Sequence, residues 1–279
     1  MSFSIPTVAA EPLFHIGSFV ITNSMINGWI AVLFFVIIGF LVKSRQSLVP
    51  KGLQNVMEGV VAFLLNEVEK VTGDKKKART FLPIVGTIFL FILFSNWLGL
   101  LPGTGSIGIW EMVHGEKELI PLLRPAGSDI NLTLAIALFA VITSHIMALV
   151  TVGPMNHLSK FVNIRGIFKA LPKGPMAIIV AVIEFGVGLL EIVSEIAKVA
   201  SLSLRLFGNV FAGEVLMTVM LGLVSLFVPI PFIFLEILVG AVQATVFAML
   251  TLAYLVVATD EHGHGHGEEE ASHEPAASH

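Results

Sequence analysis

The chain has 279 residues, of which 55% are hydrophobic and 13% charged, and its mean hydropathy is +0.90. That balance belongs to a membrane protein and excludes an ordinary soluble domain. The absence of cysteine excludes disulfides and cysteine-ligated metal or redox chemistry, and the net charge of −4 decides little because the acids gather in the C-terminal tail.

Met1 to Val20 has neither a basic start nor a compact apolar core, so no cleavable signal peptide is expected. Ile26 to Val42 reads as the first span, at the short end of what crosses a bilayer. Lys43, Arg45 and Lys51 follow at once; by the positive-inside rule they put the N-terminus outside and this loop in the cytoplasm. In Leu53 to Val71 the residues Leu53, Val56, Met57, Val60, Leu64 and Val68 repeat at helical spacing, with Gln54, Glu58, Glu67 and Lys70 on the other face. This is an amphipathic helix lying at the inner interface or packed on the spans there.

Phe81 to Leu101 is the second expected span, with Asn96 near its outer end. Pro102 to Ser128 mixes Pro, Gly and both charge signs and reads as an outer loop. Ile130 to Val152 returns inward, and Lys160, Arg165, Lys169 and Lys173 mark a second cytoplasmic segment. His145, near that end, reads as a hydrogen-bonded structural histidine rather than a ligand.

Ala177 to Val228 is apolar for longer than any bilayer requires. As one helix it would measure about 78 Å against about 30 Å of hydrocarbon, so it must break into two spans, tilt, or begin along the inner surface. Pro229 and Pro231 turn the chain, and Phe232 to Ala258 comes back with Glu236, Gln243 and Tyr254 on one face. The expected fold is therefore an all-α polytopic membrane protein. It has about five transmembrane helices, one interfacial amphipathic helix and a long tilted helical hairpin near the C-terminus. Residues 1–259 form the membrane domain, and 260–279 form a polar His/Glu-rich tail, expected to be disordered.

Within the long run, Glu191, Ser194, Lys198, Ser201, Arg205 and Asn209 share a face. At about 100° per residue they all lie within roughly 40° of Arg205. A polar stripe at lipid depth must face protein or water. A guanidinium there stays charged and costs at least about 3 kcal/mol to insert, which marks a functional residue with a partner. Glu214, nine residues on, points to the opposite face. Glu195 and Lys198, at i and i+3, form either a channel pair or a structural ion pair. No P-loop, dinucleotide fingerprint, catalytic triad or metal-helix motif is present, so no cofactor and no catalytic site of its own are expected.

The run Ser201-Leu202-Ser203-Leu204-Arg205-Leu206-Phe207-Gly208-Asn209, continuing to Gly213-Glu214, closely resembles the signature of the a subunit of F-type ATP synthases. So do Asn96-Trp97-Leu98-Gly99-Leu100-Leu101-Pro102, then Ser128-Asp129-Ile130-Asn131-Leu132-Thr133, and Gln243 in the last helix. The resemblance implies a non-catalytic stator subunit of the membrane (F0) sector that translocates protons. Its partners would be the c-ring, peripheral-stalk b subunits and the lipid bilayer, and no nucleic acid. Arg205 would face the rotor carboxylate. Asn209, Glu214, Glu236 and Gln243 would line the outer half-channel; Glu191, Ser194 and Ser201 would line the inner one. The family often has histidine where this chain has Glu236, which leaves open how Glu214 and Glu236 share protons. Some relatives carry Asp where this chain has Gly99, so no site role is assigned to that position. The location implied is a bacterial inner membrane, with an organellar energy-transducing membrane also open.

Three other readings compete. Sodium replaces the proton if the rotor's carboxylate site selects it. A secondary transporter with midplane charges would show internal repeats, and none is evident. A structural scaffold would leave the polar stripe unexplained. The orientation is testable: cysteines placed at Ser4 and Ser272 of this cysteine-free chain should react with a membrane-impermeant label from opposite sides. Labelling from one side only would refute an odd number of spans.

Overall fold

The computed structural model describes residues 10–44, 46–101, 104, 107–113, 116–154, 157, 175–223 and 229–260. Its described helices are α1 (Asn23–Ser44), α2 (Leu53–Thr72), α3 (Lys75–Gly99), α4 (Ile130–Thr151), α5 (Pro175–Leu223) and α6 (Pro229–Asp260). The helices Asn23–Ser44, Lys75–Gly99, Ile130–Thr151 and Pro229–Thr259 are long and apolar enough to cross a membrane. The expected all-helical membrane architecture is present. Two short hairpins accompany it: β1 (Pro12–Ile16) with β2 (Phe19–Thr22), and β3 (Gly108–Val113) with β4 (Glu116–Pro121).

Both hairpins fall where the sequence reads as irregular polar chain. The first turns through Gly17 at φ +63°, a glycine-first tight turn that closes two strands too short to show alternation. Helix α3 begins six residues before the expected Phe81. Asp74 accepts a hydrogen bond from the Lys76 N–H at 2.7 Å, and the following Lys and Ala residues favour helix.

The long apolar run does not break. Helix α5 continues from Pro175 to Leu223, 49 residues or about 74 Å, because no proline interrupts it. The basic segment from Lys160 to Lys173, the turn at 224–228 and the polar tail from 261 to 279 lie outside the described residues.

The chain forms two compact units. One contains residues up to Leu138 together with Val199–Leu250; the other contains Phe139–Lys198 and the chain from Thr251. In the first, α2 turns into α3 through Gly73, whose left-handed φ of 66° suits glycine and whose N–H reaches Glu69 O at 2.9 Å. Leu64 and Val68 are buried, with Leu64 lying over Gly86 of α3, while Val56, Val61 and Phe63 stay exposed. The amphipathic helix thus docks by a narrow stripe and keeps apolar surface for its surroundings. Helix α1 holds α3 from another side, with the Phe34 and Phe94 rings stacked at 4.1 Å.

The segment before α4 threads between helices. Pro125 lies so close to Gly99 that a side chain there would overlap it. Gly127 faces Asn96 Oδ1 and Val210 with no room for a methyl group. Asp129 then caps α4: Oδ1 accepts from the Asn131 N–H at 2.9 Å, and Oδ2 accepts from Ser24 Oγ at 2.7 Å. Thr133 and Ser203 hydroxyls are 3.2 Å apart and tie α4 to α5. The Ser-Asp-x-Asn-x-Thr motif is thus read as anchoring. Asp129→Ala should cost about 2 kcal/mol, a lost cap plus a lost buried acceptor. Asp129→Asn, which keeps groups for both bonds, should cost less; thermal melting in detergent compares them.

Candidate functional site

Within the first unit α5 and α6 run antiparallel, and each unit has its own contacts between the two helices. In the first unit Asn209 Nδ2 donates to Gln243 Oε1 at 2.7 Å, and the Glu236 carboxylate rests on the backbone of Gly213. In the second unit Lys198 Nζ lies 5.5 Å over the Tyr254 ring. The expected face of Glu236, Gln243 and Tyr254 on the last helix is therefore the face turned to α5. Glycine at 213 has a physical reason, because any Cβ would occupy the space of the Glu236 carboxylate.

Glu214 points away from this seam. Arg124 Nε donates to both of its carboxylate oxygens, at 2.9 and 3.0 Å, with the arginine side chain 3% exposed and the glutamate 17%. A pair so enclosed exchanges water for its partner, and loss of either member strands the other. Sequence reading overlooked Arg124, which sits among loop charges. The signal available was Glu214 itself, a carboxylate at membrane depth that requires a cation.

Asn96, expected near the outer end of the second span, has no role assigned from the sequence. It is buried, and among the described residues neither its Oδ1 nor its Nδ2 has a hydrogen-bond partner; Gln243 Nε2 is in the same state. A Cβ added at Gly240, one turn from Gln243, would lie 3.6 Å from the Asn96 Cβ, in ordinary contact. Buried amides of this kind are hydration sites. The first unit thus gathers Asn209, Gln243, Glu236 and Asn96 around the α5–α6 seam, with the Glu214–Arg124 pair on the other side of α5.

Arg205 is different. It is exposed, and among the described residues it forms no hydrogen bond or ion pair. Its exposed neighbours along α5 are Ala200, Ser201, Leu204, Gly208, Asn209 and Ala212. The stripe recurs at three- and four-residue intervals and consists mostly of small side chains. Of the expected inner group, Glu191 and Ser194 are half-buried in the second unit, with Glu191 Oε1 4.0 Å from Lys198 Nζ. Glu195 accepts from Lys198 at 2.7 Å, so the i,i+3 ion pair forms.

Residues 25–256 match the family model described as ATP synthase A chain. The chain belongs to that family. It is 33% identical over 244 residues to ATP synthase subunit a of Gloeobacter violaceus, covering 88% of this chain and 86% of the relative. It is 35% identical over 244 residues to ATP synthase subunit a of Mycobacterium ulcerans, covering 84% and 85%. A third relative, ATP synthase subunit a of Moorella thermoacetica, is 29% identical over 252 residues, covering 90% and 96%. The ATP synthase A chain match includes every site residue described above, Arg124 and Asn96 among them.

The buried ion pair makes a measurable prediction. Arg124→Ala should lower stability by about 3 kcal/mol, since it leaves Glu214 without its cation, and Glu214→Gln should cost less because the amide still accepts one bond. The double variant should cost clearly less than the sum. A melting series in detergent, read as a double-mutant cycle, gives the coupling.

Proposed function

We propose that this chain is the proton-conducting stator of a rotary ATP synthase, set beside a ring of rotor subunits and braced by peripheral-stalk b subunits in a bacterial inner membrane. The observation that carries the reading is Arg205: a permanent charge on an apolar helix, without a partner among the described residues and open on a stripe of small side chains. A charge so placed needs its counter-ion from another chain. Small neighbours let that chain come close enough to supply a carboxylate.

In this reading Arg205 favours the ionised rotor carboxylate as it passes. The proton leaves into one half-channel, and another loads from the other. Asn209, Glu214, Glu236 and Gln243, with Asn96 beside them, serve the outer path. Glu191, Ser194 and Ser201 serve the inner one, on the side bearing the Lys- and Arg-rich segments. The guanidinium repels protons and so keeps the two paths from joining. Each proton crossing about 100 mV releases about 2.3 kcal/mol, too little for one phosphoanhydride, so several rotor steps must be summed on other subunits. The chain itself needs no catalytic site for this work.

Lysine should not replace Arg205, because a desolvated ammonium gives up its proton and lacks the planar fork. Arg205→Lys is expected to abolish ATP-driven proton uptake into inverted vesicles while the complex still assembles. Arg205→Ala should do the same and add a passive leak. Near-normal pumping by Arg205→Lys would return Arg205 to a packing role.

A further inference from the structure

The second unit holds a chain of titratable side chains that the half-channel assignment does not use. His157 Nε2 and His145 Nδ1 are 3.2 Å apart. The other nitrogen of His145, Nε2, is 3.3 Å from Glu195 Oε2. The second oxygen of Glu195 accepts from Lys198 Nζ at 2.7 Å, and Lys198 in turn lies 4.0 Å from Glu191 and over the ring of Tyr254. Among the described residues no three His, Cys, Asp or Glu groups converge as a metal site would require. The geometry is linear.

Hydrogen-bond chemistry gives this chain a direction. The 3.3 Å approach of His145 Nε2 to Glu195 Oε2 is an ion-pair contact, and because an ionised carboxylate only accepts, a hydrogen passed between them starts on His145 Nε2. In the neutral ring the lone pair then sits on Nδ1, and His157 must donate to it from Nε2. The hydrogen bond and the ion-pair contact then both run from His157 toward Glu195. Lys198 occupies the other carboxylate oxygen and holds Glu195 in place as the terminal acceptor.

We propose that His157, His145 and Glu195 form a proton relay that feeds and drains the inner half-channel at Glu191. The inference rests on the proton-conducting reading above and adds three residues to it. His157 Nδ1 is buried, so a proton must be brought to it by an entering water, and its capture there makes an imidazolium. Its Nε2 proton passes to His145 Nδ1, and His145 releases its own Nε2 proton to Glu195 Oε2. One proton has then moved from His157 to Glu195, both rings are neutral, and nothing is oxidised or reduced. Each transfer reverses the hydrogen-bond direction, so the rings turn or exchange with solvent before the next. The His145 side chain is 27% exposed, which gives water access for that reset. Glu195 stands one helical turn beyond Glu191 on α5, so the proton leaves the relay beside the first acid of the inner path.

A purely structural cluster would tie α4 to α5 through the same contacts, and chemical rescue separates the two. The test is ATP-driven proton uptake by inverted vesicles carrying the whole complex, in weak buffer. With His145→Ala the rate should fall about tenfold, less than the hundredfold typical of a positioned proton-transfer group because water substitutes in part. Imidazole added to the exposed face should restore it and leave the wild type unchanged. His145→Gln keeps a hydrogen-bonding group in place but cannot pass a proton, so it should also be slow. Wild-type pumping by His145→Gln overturns the relay, as does an assembled His145→Ala complex that is slow and indifferent to imidazole. Arg205→Lys, run alongside, tests the underlying reading separately: pumping by that variant defeats proton translocation at Arg205 whatever the histidine variants do.

Discussion

A charge among apolar helices must be met by an opposite charge, a dipole or water, and the carboxylates of Glu214 and Glu195 are met by cations within the chain. Glu214 is met by Arg124, which grips both carboxylate oxygens from the segment before α4. Glu195 is met by Lys198 and His145. The Glu236 carboxylate lies against the bare backbone of Gly213. Much of the architecture exists to deliver these partners. The Pro125–Gly99 contact, the tight fit at Gly127 and the Asp129 cap together position the segment from which Arg124 reaches Glu214. Arg205 stands outside this pattern of internal satisfaction: among the described residues it forms no hydrogen bond or ion pair.

Helices were legible in the sequence because apolar length and amphipathic period are strong local signals. The expected start of Leu53 and the start of Ile130 coincide with those of α2 and α4. The polar faces were legible for the same reason: the 100° period places Glu236, Gln243 and Tyr254 together before any coordinates are known, and contacts at all three face α5. What periodicity cannot supply is a partner distant in the chain. Arg124 and Glu214 are 90 residues apart, and no spacing rule joins them. His157 belongs to the same class, since His145 alone has the aspect of a lone structural histidine. The hairpins escaped because strands of four to six residues carry too few alternations to count. The continuity of α5 was left undecided by length alone; the lack of any proline inside it was the deciding local fact.

The conserved-looking motifs divide by physical duty once the contacts are known. Asp129 and Thr133 are anchors, satisfied by a helix terminus and by hydroxyls on α1 and α5. Asn209 and Gln243 bind one another and leave Gln243 Nε2 over, while Asn96 keeps both polar atoms available. Groups with unused hydrogen-bonding capacity in a buried place are suited to a path that water enters. Fully satisfied groups are suited to holding the walls of that path.

The stripe of Ala200, Ser201, Gly208 and Ala212 around Arg205 has a mechanical meaning as well. Packed helices normally interlock, because ridges of large side chains drop into the grooves of the neighbour and resist lateral displacement. A face built from side chains of one or two heavy atoms has shallow ridges. A helix crossing it sideways meets little corrugation until it reaches the taller side chains, the Arg205 guanidinium with Leu204 and Asn209 beside it. If a rotor helix passes this face as proposed, it meets a bearing with one detent: friction is low over most of the travel, and the position of rest is set by charge instead of by shape.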